Sequence, residues 1–198
     1  YHEESPARVD KNILLIRQYV CFNLTEKMDA LPLILRPIEK KWLIFQLLCG
    51  LQQIHSIPMV HGDLKPDNIL VTSYDWLMIS DMINIKPTLL MEDDLKKYNL
   101  YFGYLDNNLR AYVAPERWLR PGTTPAESDE LARRVQLATL EPSMDVFSAG
   151  CVIAEILMDG MPLFDLARLQ SYKLGVLDPR TILSKRIESS VQRDLIME

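Results

Sequence analysis

His61-Gly62-Asp63-Leu64-Lys65-Pro66-Asp67-Asn68-Ile69-Leu70-Val71 is the stretch on which the reading of this chain turns. It sets a carboxylate at Asp63, an ammonium at Lys65 and an amide at Asn68 within one short polar segment. Ile69-Leu70-Val71 follows as an apolar run of strand length. A second short strand is expected at Leu77 to Ser80, with the carboxylate of Asp81 directly behind it. Asp, Lys and Asn are common in turns, and any one of them alone would mean only a turn. Their register, with a strand signal next to them, points to a loop that presents charge. Asn68 and Asp81 carry hard oxygen donors of the kind magnesium prefers.

Two later segments stand in a telling order. Ala114-Pro115-Glu116 lies two residues beyond Tyr112, and Ser143-Met144-Asp145-Val146-Phe147-Ser148-Ala149-Gly150-Cys151 opens a long apolar helix with an acidic residue. Together with His61 to Asn68 and Asp81, these landmarks resemble the large lobe of protein kinases, over nearly the whole chain. The resemblance implies a mainly α (α+β) fold, a kinase C-terminal lobe with a remnant of the N-terminal lobe, incomplete at both ends. Residues 1–20 would be the end of the small lobe and the hinge, and 21–198 the large lobe, with an insertion at about 119–142. Phosphoryl transfer is mostly positioning and charge neutralisation. The implied roles are Asp63 as the base for an acceptor hydroxyl, Lys65 on the phosphoryl oxygens, Asn68 and Asp81 on Mg2+, and Leu70 as a floor beneath the base of ATP or another nucleoside triphosphate. Asp145 is expected to be buried and held by amides near His61 and Gly62, because a buried carboxylate without donors is costly.

A narrower likeness runs through Glu39-Lys40-Lys41-Trp42, His61-Gly62-Asp63, Val71-Thr72-Ser73, Ile85-Lys86-Pro87-Thr88 and Pro162-Leu163-Phe164-Asp165-Leu166. These segments are similar to the family of kinase-like regulatory subunits of class III phosphatidylinositol 3-kinase in vacuolar protein sorting. That likeness implies a serine/threonine protein kinase of weak activity, acting in endosomal sorting and autophagy. Its partners would be the lipid-kinase catalytic subunit and the associated complex subunits. It would be cytoplasmic and peripheral on endosomal or vacuolar membranes through the parent protein. The alternative is a nucleotide-binding pseudokinase scaffold without phosphotransfer.

Composition is compatible with this. The 198 residues are 48% hydrophobic and 25% charged, enough for one globular unit with a sizeable core. A net charge of −5 gives no basic footprint for nucleic acid. Cys21, Cys49 and Cys151 are scattered; Cys49 and Cys151 sit in apolar helical patterns and read as reduced core residues rather than a disulfide or zinc framework. The apolar stretch from Phe147 to Met158 is broken by Glu155 and is far shorter than the ~20 residues of a membrane span. No signal peptide is visible, and the chain opens on Tyr1, so an N-terminal lipidation signal is not readable from it.

Asn12 to Val20 reads as a strand, leading into a hinge near Gln18 to Cys21. Ile38 to Ser56 reads as a helix with Ile38, Trp42, Phe45, Leu48, Leu51 and Ile54 on its apolar side, closed by Pro58; His55 at its end suits a capping or surface role. Pro125 to Ala138 has a helix start after Thr124 and falls in the insertion, more as a solvated excursion than a docking element. Val146 to Asp159 is the expected central buried helix, stopped by Gly160-Met161-Pro162.

Departures from the kinase pattern bear on activity. Gly62 stands where regulated kinases place an arginine that grips a phosphate, so a phosphate on Thr88, Tyr98 or Tyr101 has no obvious partner in the sequence. Met82-Ile83 replaces Phe-Gly; Met can fill the aromatic slot, whereas a β-branched Ile83 removes an easy backbone switch. Leu109 stands in place of a threonine and cannot brace Asp63 and Lys65 by a hydrogen bond. Weak transfer, independent of activation-loop phosphorylation, is the expectation.

Overall fold

The structure, a computed structural model, describes residues 19–29, 35–82, 86–92, 94–102, 110–120, 127, 129, 130, 133, 135 and 137–197. Most of the strand expected at Asn12 to Val20, together with Ile83, Leu109 and much of the insertion, lies outside these residues. The segments that position the site are β1 (Phe22–Asn23), α1 (Leu24–Asp29), α2 (Pro37–Ser56), β2 (Ile69–Val71), β3 (Leu77–Ile79), β4 (Leu90–Met91), α3 (Leu95–Tyr101), β5 (Trp118–Leu119) and α4 (Pro142–Leu157). Three further helices, α5 (Leu166–Lys173), α6 (Arg180–Arg186) and α7 (Ser190–Met197), pack beyond them.

A small antiparallel sheet in the order β1-β2-β3 carries the loops of interest. Ile69 pairs with Ile79 and Val71 with Leu77, close to the two strands expected from the apolar runs. Ile69 and Val71 are buried, as alternate positions on one face must be when that face meets a core. The turn between these strands is pinned to α2 by one side chain: Gln46 donates from Nε2 to the Asp75 carbonyl (2.7 Å) and accepts at Oε1 from the Leu77 amide (3.0 Å). Helix and strand approach closely here. A Cβ on Gly50 of α2 would lie 3.1 Å from Ile79 Cδ1, which explains a glycine in mid-helix despite its propensity cost.

The buried face of α2 differs from the expected one. Leu43, Ile44, Leu47 and Leu51 turn inward, whereas Ile38 is 66% exposed, Phe45 57% and Trp42 37%. Leu51 alone among the buried four belongs to the expected stripe. The helix has apolar residues on two faces, and period alone does not select between them. The outer set forms an aromatic surface, with Trp42 stacked on Phe45 at 5.8 Å and edge-on to Trp76 at 5.6 Å between centroids. Within the insertion, the described residues Glu127, Asp129, Glu130, Arg133, Val135 and Leu137 are helical and exposed. Cys151 is buried, Cys49 half-buried and Cys21 exposed, all as free thiols.

The central helix α4 starts at Pro142, four residues ahead of the expected Val146, so Asp145 falls in its first turn. Its other buried acid is Glu155. Tyr112 donates its hydroxyl to Glu155 Oε2, and Arg110 Nη1 lies 3.1 Å from Oε1. Lys40 at the start of α2 reaches Asp159 Oδ1 at 2.6 Å, just past the end of α4, and so ties the two long helices together.

Burial pushes the Glu155 carboxyl up to about 7 from an ordinary 4.5, against the opposing pull of Tyr112 and Arg110. The folded state therefore holds a proton that the unfolded chain has released between these values. This contribution to stability is complete below pH 4.5 and is lost as pH rises through about 7. Glu155→Gln removes that titration. The melting temperature of the wild type should fall relative to the variant across this window, by the equivalent of roughly 1–3 kcal/mol, and the difference should level off above it. Calorimetric scans at stepped pH check this; parallel curves would contradict it.

Candidate active site

The loop from His61 to Asn68 is built from beneath by the Asp145 carboxylate. Asp145 is 0% exposed, and its Oδ2 accepts from the His61 amide (2.7 Å) while Oδ1 accepts from the Gly62 amide (2.8 Å). His55 Nε2 lies 3.0 Å from the same Oδ2, so this histidine faces a buried acid rather than only capping its helix. The expected clasp of Asp145 on the loop amides is therefore present. Gly62 sits at φ +75°, in the left-handed region that glycine adopts without strain and an arginine would adopt only at a cost.

His61 links this loop to the next. Its Nδ1 accepts from the Asp63 amide (3.2 Å), which leaves Nε2 to carry the proton and donate to the Ser80 carbonyl (2.8 Å). Ser80 in turn donates from its amide (2.8 Å) and its hydroxyl (3.0 Å) to the Asn68 carbonyl. The β2–β3 pairing thus sets Asn68 beside Ser80, and Asp81 follows immediately. Asp81 is exposed and left-handed at φ +60°, a conformation Asp tolerates better than most residues and one that recurs at functional sites.

Asp63, Lys65 and Asn68 meet. Asn68 Nδ2 donates to Asp63 Oδ2 and to the Asp63 carbonyl, both at 2.8 Å, and Lys65 Nζ lies 3.8 Å from Oδ2. With its nitrogen committed to Asp63, the Asn68 amide keeps Oδ1 as an acceptor or metal ligand. Leu70 is half-buried in β2 between the two strands it pairs with.

Two cations of this region have partners that the local sequence does not signal. Lys86 pairs with Asp63 Oδ2 and stands 5.3 Å from the centroid of the Phe102 ring. Arg117, just past Ala114-Pro115-Glu116, is buried and donates to the carbonyls of Gly62 (2.5 Å), Pro87 (2.8 Å) and Thr88 (2.8 Å). Burial lowers Arg117 to about 10, with Asp63, Asp145 and Glu116 pulling the other way, so it stays charged at neutral pH. Tyr98 is buried with its hydroxyl donating to the Arg110 carbonyl (3.3 Å), which makes it a poor acceptor of phosphate.

The protein kinase domain family matches residues 7–194. This chain belongs to the protein kinase family. It is 38% identical over 187 residues to serine/threonine-protein kinase VPS15 of Arabidopsis thaliana, which covers 94% of the chain and 12% of that protein. It is 38% identical over 188 residues to the probable serine/threonine-protein kinase vps15 of Dictyostelium discoideum, covering 95% of the chain and 9% of that protein. It is 30% identical over 159 residues to human cyclin-dependent kinase-like 5, covering 77% of the chain and 13% of that protein. The chain thus spans about a tenth of the length of the VPS15 kinases it matches. As a protein kinase domain it is mainly helical with a small sheet, and among the described residues no helix is long and apolar enough to cross a membrane.

The kinase loop should depend on Asp145 more than on any exposed contact. Asp145→Ala leaves two buried amides without acceptors and should cost about 3 kcal/mol or more, with Asp145→Asn costing roughly half because one acceptor survives. Urea unfolding of the two variants checks this; a change within about 0.5 kcal/mol for the alanine variant would contradict it.

Proposed function

We propose that this chain is the large-lobe part of a serine/threonine protein kinase-like subunit that binds Mg-ATP, or another nucleoside triphosphate, and transfers phosphate slowly to Ser or Thr. The observation that supports this most is the convergence of Asp63, Lys65 and Asn68 within hydrogen-bond and ion-pair reach, with Asp81 next in the chain to Ser80, which bonds to Asn68. The donor set fits magnesium. Asn68 Oδ1 and the exposed Asp81 carboxylate are hard oxygens, and among the described residues no cluster of three or more His, Cys, Asp or Glu competes as a closed metal site. Two protein oxygens suit an ion that keeps the rest of its shell for phosphate and water. Asn68 and Asp81 would hold the ion, whose chemistry there would be to neutralise phosphate charge.

The chain's own groups supply the rest. Asp63 would accept the proton of the attacking hydroxyl, with Asn68 holding its carboxylate in orientation. Lys65 would place its ammonium against the transferring phosphoryl oxygens. Leu70 would offer an apolar floor to the nucleotide base. Slow turnover follows from Lys86: an acceptor hydroxyl reaching Asp63 Oδ2 has to share it with Asn68 and displace an ion-paired ammonium. That same contact favours a second reading, a nucleotide-binding pseudokinase scaffold in which Asp63 serves structure alone.

By likeness to the VPS15 kinases, the setting would be a class III phosphatidylinositol 3-kinase complex in endosomal sorting and autophagy, peripheral on endosomal or vacuolar membranes. The partners would be its catalytic and associated subunits. Residues 1–20 would close the small lobe and hinge, with the large lobe from 21 onward and the insertion at about 119–142 as a surface excursion.

Two substitutions in the full-length protein separate the steps. Asp81→Ala should remove most of the magnesium-dependent thermal stabilisation by nucleotide; an unchanged thermal shift would show the metal site to be elsewhere. Asp63→Asn keeps the size and much of the hydrogen bonding of the carboxylate. It should lower autophosphorylation by at least about a hundredfold while nucleotide binding stays within about twofold. Nucleotide binding without any phosphotransfer by the wild type would favour the scaffold reading.

A further inference from the structure

The guanidinium of Arg117 is the one described cation that joins the loop before Asp63 to the segment at 86–88 through backbone alone. Its three carbonyl partners come from both: Gly62 on one side, Pro87 and Thr88 on the other. Such an arrangement needs a rigid planar fork whose donors diverge, which arginine has and lysine lacks. Phe102 closes one face, its ring centroid 5.0 Å from Cζ, so the group is screened from water where it works. The residues directly after Arg117 extend the seam. Trp118 and Leu119 pair in parallel with Leu90 and Met91, the Glu92 amide donates to the Leu119 carbonyl (2.9 Å), and Lys173 Nζ reaches Glu92 Oε1 at 2.5 Å and the Trp118 carbonyl.

Gly62 cannot grip anything with a side chain. Its carbonyl is gripped instead, by an arginine that arrives from the far end of the intervening segment. We infer that Arg117 is a built-in latch, a positioning residue that holds the 86–88 segment against the loop bearing Asp63 and makes a phosphate in that segment unnecessary. The latch itself rests on the geometry, and its consequence for transfer rests on the proposed reading of Asp63. Because the latch is made of backbone acceptors, it uses no side-chain atom of residues 62, 87 or 88, and at 62 only the left-handed backbone that glycine adopts without strain matters to it. Lys86, next in the chain to a latched residue, is thereby kept within reach of Asp63.

Hydrogen–deuterium exchange on the phosphatase-treated full-length protein tests this, with Arg117→Met and Arg117→Lys beside the wild type. Exchange in peptides spanning 60–66 and 86–92 should accelerate at least about tenfold in Arg117→Met, the loss of charge-assisted bonds to both segments, and by less in Arg117→Lys. Peptides within α4 should exchange as in the wild type. Alongside, the nucleotide KM should stay unchanged in Arg117→Met, and phosphatase treatment of the wild type should alter neither kcat nor KM. Unchanged exchange in either segment, or equal acceleration in α4, would overturn the latch. So would a wild type whose 86–92 segment loosens on dephosphorylation. A wild type that transfers no phosphate at all would defeat the proposed enzymatic function, while the exchange data would still decide the latch.

Discussion

One buried carboxylate organises this domain. Asp145 lies in the first turn of the central helix, where an acid is favoured by the helix dipole, but it is fully shielded from water. A charge in that position must be met by donors, and the donors are the amides of His61 and Gly62. The backbone of the loop is thereby fixed from below. His61, positioned by the same clasp, fixes the start of the next loop through Ser80, and Ser80 reaches across to Asn68. Asp63 and Asn68 are held by a chain of bonds that begins in the core, with Lys65 paired to Asp63 and Asp81 next in the chain to Ser80.

Charge balance around the loop is reached by groups from distant parts of the sequence. Asp63 faces Lys65 from its own loop and Lys86 from the segment beyond β3, while Arg117 reaches the carbonyl of the preceding residue. The cationic side is therefore assembled inside the folded domain. The 86–88 segment is held to this loop by backbone contacts with Arg117, with no added charge among them.

Much of the site was legible because it is local. Asp63, Lys65 and Asn68 lie on one short loop, and the β2–β3 pairing that sets Ser80 beside Asn68, with Asp81 next in the chain, is written in two apolar runs. Asp145 was legible through the kinase resemblance, which implies a buried acid at the start of this helix, and burial then requires that it be paired. What escaped is non-local or degenerate. Nothing near Lys86 or Arg117 states that their partners are Asp63 and the carbonyls of residues 62, 87 and 88, since those contacts exist only after the chain has folded back. His55 looked like a helix-end residue because its partner lies ninety residues away. The face of α2 was misassigned because Trp42 and Phe45 are as apolar as Leu43 and Leu47, and only the neighbouring strands choose between them.

The dependence of the loop on Asp145 is open to direct measurement through the exchange of two protons. If the clasp belongs to the core, the His61 and Gly62 amides should exchange only when the domain unfolds. Their free energies of exchange, resolved by NMR, should then equal those of the most protected amides of α4 and shift with denaturant by the same slope. Exchange of these two amides with a lower free energy and little denaturant dependence would mean that the loop opens on its own, and would contradict the account.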